Sequence, residues 1–365
     1  MTESRRSHGR PRPAVAGLPA YKPGKAAEQA NREHNITDAI KLASNESPFG
    51  PLDAVRAAVE AGLDKANRYA DHRATAVRSR IAAIAGVDTE SVMVGAGSAG
   101  LLQQLVLTYV DPGDEVIYPW RSFEVYPVFT QLVGGTAITT PLAGHAFDLD
   151  AVAAAVTERT KLILLANPNN PTGTALPMGA FAELLEQVPE PVIVVLDEAY
   201  REFMDPALGD SVSDLLDRYP NLVVLRTFSK AHGLAAFRVG YGFGHPDVVE
   251  TIDRTLVPFV VNGLAQVAAL AALDAADEVA ARVASVVEER RRVHAELVHQ
   301  GWPLPPSETN FVWLPLGDRT DEITLDMERR GIVARPFSGE GLRITIGTAE
   351  QNDRFLQALA EVAPS

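Results

Sequence analysis

Four times between residues 92 and 230, an unbroken apolar run stops at a polar or glycine-bearing turn. Val92-Met93-Val94 precedes Gly95-Ala96-Gly97-Ser98, and Leu162-Ile163-Leu164-Leu165-Ala166 precedes Asn167-Pro168-Asn169-Asn170-Pro171-Thr172-Gly173. Val192-Ile193-Val194-Val195-Leu196 precedes Asp197-Glu198-Ala199-Tyr200, and Leu222-Val223-Val224-Leu225 runs through Arg226 into Thr227-Phe228-Ser229-Lys230. Runs without polar alternation suit strands buried on both faces, as in a parallel sheet. Further strand candidates at 115–118, 136–140 and 239–243 alternate with helical patterns. The expectation is an α/β fold: a mainly parallel seven-stranded sheet with right-handed crossovers and helices on both faces. Ligands in such sheets bind beyond the carboxyl ends of the strands. All four turns fall at that edge, so they predict one shared site.

The chain of 365 residues is longer than one core usually fills. From Pro258 to about Gln300, Ala, Val, Glu and Arg recur at helical spacing, which predicts a long linking helix, with a break allowed. Beyond it, strands near 309–314, 331–335 and 342–346 and a helix near 321–330 predict a smaller α+β domain. The expected division is a disordered tail over 1–16, an N-terminal arm over 17–47 packing on the site and on a dimer partner, a large domain over 48–257, and a linking helix with a small C-terminal domain over 258–365. The tail carries Arg5, Arg6, Arg10 and Arg12 with no apolar export segment after them.

A net charge of −14 argues against general binding to nucleic acid or to anionic membranes. No apolar run approaches the ~20 residues of a membrane helix. There are no cysteines, which excludes disulfides and thiolate metal sites and fits a cytoplasmic location. None of the 8 histidines has metal-ligand spacing, so no metal is expected.

The turns carry chemistry. Lys230 sits among small and apolar residues, where its amine can form an imine with an aldehyde, and Thr227, Ser229 and Arg238 beside it can hold an anion. Asp197, at the end of a buried run, is costly unless it meets a cation; Tyr200 follows three residues on. Two prolines and a glycine aim the Asn170 side chain. Gly95-Ala96-Gly97-Ser98 leads into a helix whose free N–H groups favour phosphate. The glycines, at 95, 97 and 100, do not spell a dinucleotide fingerprint.

Taken together, these motifs resemble the fold-type I aminotransferases that use pyridoxal 5′-phosphate (PLP). Within them the chain is most similar to the histidinol-phosphate and aromatic branch, and in that branch to the actinobacterial aromatic (phenylalanine) subgroup. The likeness runs from Leu18-Pro19-Ala20-Tyr21 to Gly341-Leu342-Arg343-Ile344-Thr345, through Lys41-Leu42-Ala43-Ser44-Asn45, Asn67-Arg68-Tyr69 and Tyr118-Pro119-Trp120-Arg121-Ser122-Phe123.

The resemblance implies that Lys230 anchors PLP and moves protons, that Asp197 pairs with the ring nitrogen, and that Tyr200 and Asn170 meet the ring oxygen. Phe123 stacks on the ring. Ala96, Gly97, Ser98, Thr227, Ser229 and Arg238 hold the phosphate, joined by Tyr69 from the second subunit of a homodimer. Arg343 takes the substrate carboxylate, with Arg335 as a second cation and Asn45 and Tyr21 where the arm folds over the site. Trp120 and Arg121 face either substrate or the dimer partner. His232 replaces a commoner aromatic and reads as packing.

The implied reaction is transamination of aromatic amino acids with 2-oxoglutarate, giving the aryl 2-oxo acid and glutamate. The alternative is histidinol-phosphate transamination. The short loop 335–341 and the acid Glu340 favour the aromatic reading.

Overall fold

A computed structural model describes residue 9, residues 11–18 and residues 24–362. Most of the Arg-rich start, and Tyr21, lie outside the described residues.

The strands in chain order are β1 (Ile40–Lys41), β2 (Val92–Gly95), β3 (Glu115–Pro119), β4 (Thr136–Thr140), the hairpin β5 (Leu142–Ala143) and β6 (Ala146–Phe147), β7 (Thr160–Ala166), β8 (Ile193–Asp197), β9 (Leu222–Thr227), β10 (Gly240–Phe243), β11 (Phe311–Leu314), β12 (Ile332–Val333), β13 (Arg335–Phe337) and β14 (Gly341–Thr345). Seven of them form one sheet in the order β2-β10-β9-β8-β7-β3-β4. β10 is antiparallel to both its neighbours, and the remaining pairs are parallel. Every residue of β2, β3, β8 and β10 is buried. Side chains alternate across a sheet, so neither face meets water there and helices cover both. This is the predicted α/β architecture.

β10 makes a close approach possible. A Cβ at Gly240 would lie 2.4 Å from the backbone nitrogen of Ser98. Without that side chain, the start of the helix Gly97–Tyr109 presses directly on the sheet.

The stretch predicted as a long linking helix, with a break allowed, is two helices, Gly263–Asp274 and Ala276–His299, meeting at Ala275. Asn262 caps the first, its side chain accepting from the Ala265 amide. After them β11, β14 and β13 form a separate antiparallel sheet in that order. The last helix, Ala349–Ala360, opens on a capping box between Thr348 and Gln351.

The N-terminal arm is stitched to this C-terminal unit. β1 pairs in parallel with β12. The Leu42 amide donates to the Val333 carbonyl at 2.7 Å, and the Thr345 amide donates to the Leu42 carbonyl at 2.9 Å. Among the described residues, no helix is long and apolar enough to cross a membrane.

Candidate active site

A cavity of about 220 Å³ opens where β7, β8 and β9 end. The large sheet and its turns bring Ser98, Phe123, Asn170, Asp197, Tyr200, Thr227, Ser229, Lys230 and Arg238 to its wall, and the arm and C-terminal sheet bring Asn45, Arg335 and Arg343. Ala96 and Gly97 lie just behind Ser98 at the helix start. Tyr69 does not reach this cavity. It is 84% exposed and stacks on Phe259 with ring centroids 4.6 Å apart.

The Lys230 Nζ donates to the Ser44 carbonyl at 3.3 Å. Burial, and then the charges of Arg343 and Arg238, lower its pKa to about 7. Asp197 is pushed the other way, also to about 7, because its carboxyl is desolvated. The Tyr126 hydroxyl donates to Asp197 Oδ2 at 3.5 Å. Burial, reinforced by Asp197, keeps that hydroxyl protonated. Asp197 Oδ1 is buried and has no hydrogen-bond partner among the described residues.

An anion cradle lies on the other side of Lys230. The Thr227 hydroxyl donates to Ser229 Oγ at 3.0 Å, and Arg238 Nη1 donates to the same oxygen at 3.3 Å. Arg238 holds a left-handed backbone, φ 55°, a conformation that costs energy for a residue with a side chain. Gly97 faces it: a Cβ there would lie 2.6 Å from Arg238 Nη2. The bare glycine lets the Arg238 guanidinium lie against the helix N-terminus, so that two groups that favour an anion meet there.

These features suit PLP. The unpartnered Asp197 oxygen matches a protonated ring nitrogen. The helix start with Ser98, Ser229 and Arg238 matches a phosphate, and an amine stands between them. Phe123 supplies an aromatic face, with its ring 5.8 Å from that of Tyr126.

On the substrate side, Arg343 donates from Nη1 to Asn170 Oδ1 and from Nη2 to the Ala43 carbonyl. This turns the amide nitrogen of Asn170 away from Arg343. The Asn45 amide donates to the Tyr200 hydroxyl at 2.8 Å. Phe337 is ringed by three guanidiniums, those of Arg121, Arg335 and Arg343, at 5.3, 5.8 and 5.9 Å. Arg121 lies 4.5 Å from the Trp120 ring centroid and pairs with Glu340, whereas Arg335 pairs with Glu124 at 2.8 Å. Glu340, close to Arg335 in the sequence, therefore serves Arg121.

His232 packs behind the site, its ring centroid 4.8 Å from that of Phe228. Burial lowers its pKa to about 4, which keeps it neutral. Sequence reasoning missed Tyr126, Ser44 and Glu124. Tyr126 reads as helix core, and Ser44 acts through its backbone. Glu124 had a signal, being next to the aromatic Phe123, but nothing local pointed it at Arg335.

Comparison with known proteins agrees with this geometry. Residues 37–359 match the model of the family described as aminotransferase class I and II. The chain is 51% identical over 346 residues to an aromatic amino acid aminotransferase of Thermobifida fusca, covering 94% of this chain and 95% of that protein. It is 48% identical over 352 residues to one of Mycobacterium marinum, covering 95% of each. Its fold superposes on the crystal structure of a histidinol-phosphate aminotransferase from Sinorhizobium meliloti in complex with PLP, with a TM-score of 0.90 at 29% identity over 99% of both chains. With a family match across most of its length and half-identical relatives, the chain belongs to the class I and II aminotransferases.

Proposed function

We propose that the protein uses PLP to move the amino group of phenylalanine, tyrosine or tryptophan to 2-oxoglutarate, giving the aryl 2-oxo acid and glutamate. The observation that carries this reading is the place of Arg343 on the cavity wall with Lys230 and Asp197: its guanidinium, held by the oxygens of Asn170 and Ala43, stands where an amino acid's carboxylate would be taken. The half-identical relatives bear the name of the same activity.

When bound, PLP supplies an electron sink for the pair of electrons left on Cα. The protein's residues do the rest. Lys230 is the covalent anchor. Once released, its amine takes the proton from Cα and returns it elsewhere, a task suited to a pKa near 7. Asp197 keeps the ring nitrogen protonated, and Tyr126 orients that carboxylate. Tyr200, held by Asn45, and Asn170, held by Arg343, meet the ring oxygen. Phe123 covers the ring face. Ser98, Thr227, Ser229 and Arg238, with the amides beyond Ala96 and Gly97, hold the phosphate. Arg343 fixes the carboxylate by a two-point contact.

The working unit in this proposal is a homodimer. Tyr69, exposed and stacked on Phe259, completes the phosphate site of the other subunit.

A second reading, histidinol-phosphate transamination, is favoured by one observation: Arg335 stands directly opposite Arg343 on the neighbouring strand, so two guanidiniums lie near one another. A substrate panel separates the readings. With 2-oxoglutarate as acceptor, kcat/KM for phenylalanine should exceed that for histidinol phosphate. The reverse order would promote the second reading.

A further inference from the structure

Arg335 and Arg343 are paired residues on antiparallel strands. Directly opposed residues on one face of a sheet are close neighbours, and like charges in that position repel. The repulsion has a visible remedy. Glu124, next to Phe123 in the chain and on the cavity wall, places Oε2 2.8 Å from Arg335 Nη2. Glu340 does the same for Arg121. Two of the guanidiniums around Phe337 thus pair with carboxylates from distant parts of the chain, and Arg343 donates to the oxygens of Asn170 and Ala43.

We propose that Glu124 determines substrate specificity by occupying Arg335, so that a monocarboxylate with an aryl side chain is accepted and a phosphomonoester dianion is turned away. The idea rests on the aromatic reading above. A dianion at this wall needs the second guanidinium. To reach it, the ligand must approach the Glu124 carboxylate, which stands on the same nitrogen, or displace it. Specificity of this kind comes from a built-in repulsion as much as from attraction. An α-amino acid carboxylate needs only Arg343, and an aryl side chain brings no charge to settle.

The test uses the PLP-loaded protein and two readouts. In the first, calorimetry measures binding of 2-phenylethyl phosphate, a phosphomonoester that cannot transaminate. Glu124→Gln should lower its Kd at least about tenfold. Glu124→Ser, which keeps a polar residue at the helix start, should act in the same direction. The double variant Glu124→Gln/Arg335→Gln should lose the gain, because the gain runs through Arg335. In the second, the ratio of kcat/KM for histidinol phosphate to that for phenylalanine should rise at least about tenfold in Glu124→Gln. An unchanged Kd in folded Glu124→Gln and Glu124→Ser, or a gain that survives removal of Arg335, overturns the proposal. A wild type inert towards phenylalanine would sink the aromatic reading instead. The calorimetric result needs no turnover and decides the role of Glu124 separately.

Discussion

The side-chain amide of Asn45 donates to the hydroxyl of Tyr200 across 2.8 Å, joining the N-terminal arm to the end of β8. The same side chain accepts from the Thr345 hydroxyl at 3.1 Å, and both Asn45 and Thr345 are buried. Leaving such partners unsatisfied costs about 1–3 kcal/mol. Asn45→Ala should therefore destabilise the protein by about that amount in urea titrations. It should also lower kcat at least about tenfold, since Tyr200 loses its fixed orientation. A variant that is less stable yet turns over at the wild-type rate would separate Tyr200 from the chemistry.

The apoprotein should be least stable near pH 7. Asp197 titrates at about 7 when folded, above the ordinary ~4 of an unfolded carboxyl. Between those values the folded state holds the extra proton, so stability falls as pH rises. Lys230 also titrates at about 7 when folded, far below its ordinary ~10.4. Above pH 7 the unfolded state holds the extra proton, so stability climbs again. Denaturation midpoints against pH should show a trough. Asp197→Asn should flatten the acid flank, because buried Glu202, near 7, steepens that flank while buried His232, near 4, opposes it over most of the same range. Lys230→Met should flatten the alkaline flank. A steady fall with pH would contradict the Lys230 shift, and a steady rise the Asp197 shift.

Asp197→Ala should cut turnover much more than cofactor affinity. The phosphate cradle of Ser98, Ser229 and Arg238 is untouched by the change, so the Kd for PLP should move less than about tenfold. Without the carboxylate the ring nitrogen is no longer kept protonated, and kcat should fall at least about a hundredfold. Single-turnover absorbance against a fluorescence titration of PLP distinguishes the two effects. Loss of affinity alone would assign Asp197 a purely structural role.

Arg343→Lys tests the two-point contact. An ammonium cannot copy the planar fork, and charged hydrogen bonds are worth about 1.5–3 kcal/mol each. Losing one should lower kcat/KM for phenylalanine by about ten- to a hundredfold. The substitution would also release Asn170, so the loss should include a fall in kcat and not only a rise in KM. A variant with wild-type kcat and a raised KM would confine Arg343 to substrate capture.

Tyr69 is testable by mixing inactive subunits. A Lys230→Ala subunit paired with a Tyr69→Phe subunit gives a dimer in which one site carries both lesions and the other neither. Activity above that of either parent, in heterodimers verified by mass, is expected if the two subunits share each site. Absence of recovery would return Tyr69 to an ordinary surface stack on Phe259.

The large sheet was legible because strands buried on both faces need unbroken apolar runs. β2, β8 and β9 accordingly begin and end within a residue or two of the runs in the sequence. The polar turns were legible because their chemistry sits at strand ends, next to the runs that announce them. Contacts made by packing had no such signal. Tyr126 meets Asp197 from 71 positions away, and Glu124 meets Arg335 from 211 away. β1 and β12 each span 2 residues, too few to show a period. The break at Ala275 lies among alanines that favour helix on either side, so composition alone does not announce it.

The pairing of β1 with β12 has a mechanical consequence. The arm residues Ala43, Ser44 and Asn45 are tied on one side to β12, Thr345 and Arg343. On the other side Ser44 and Asn45 hydrogen-bond the tips of Lys230 and Tyr200. A displacement of the small sheet relative to the large one would carry the arm with it as cargo. It would withdraw the Ser44 carbonyl from the lysine and the Asn45 amide from the tyrosine in the same stroke that moves Arg343. Under the proposed function, substrate capture at Arg343 would then be geared to the position of the lysine's backbone acceptor, with the arm as the connecting rod.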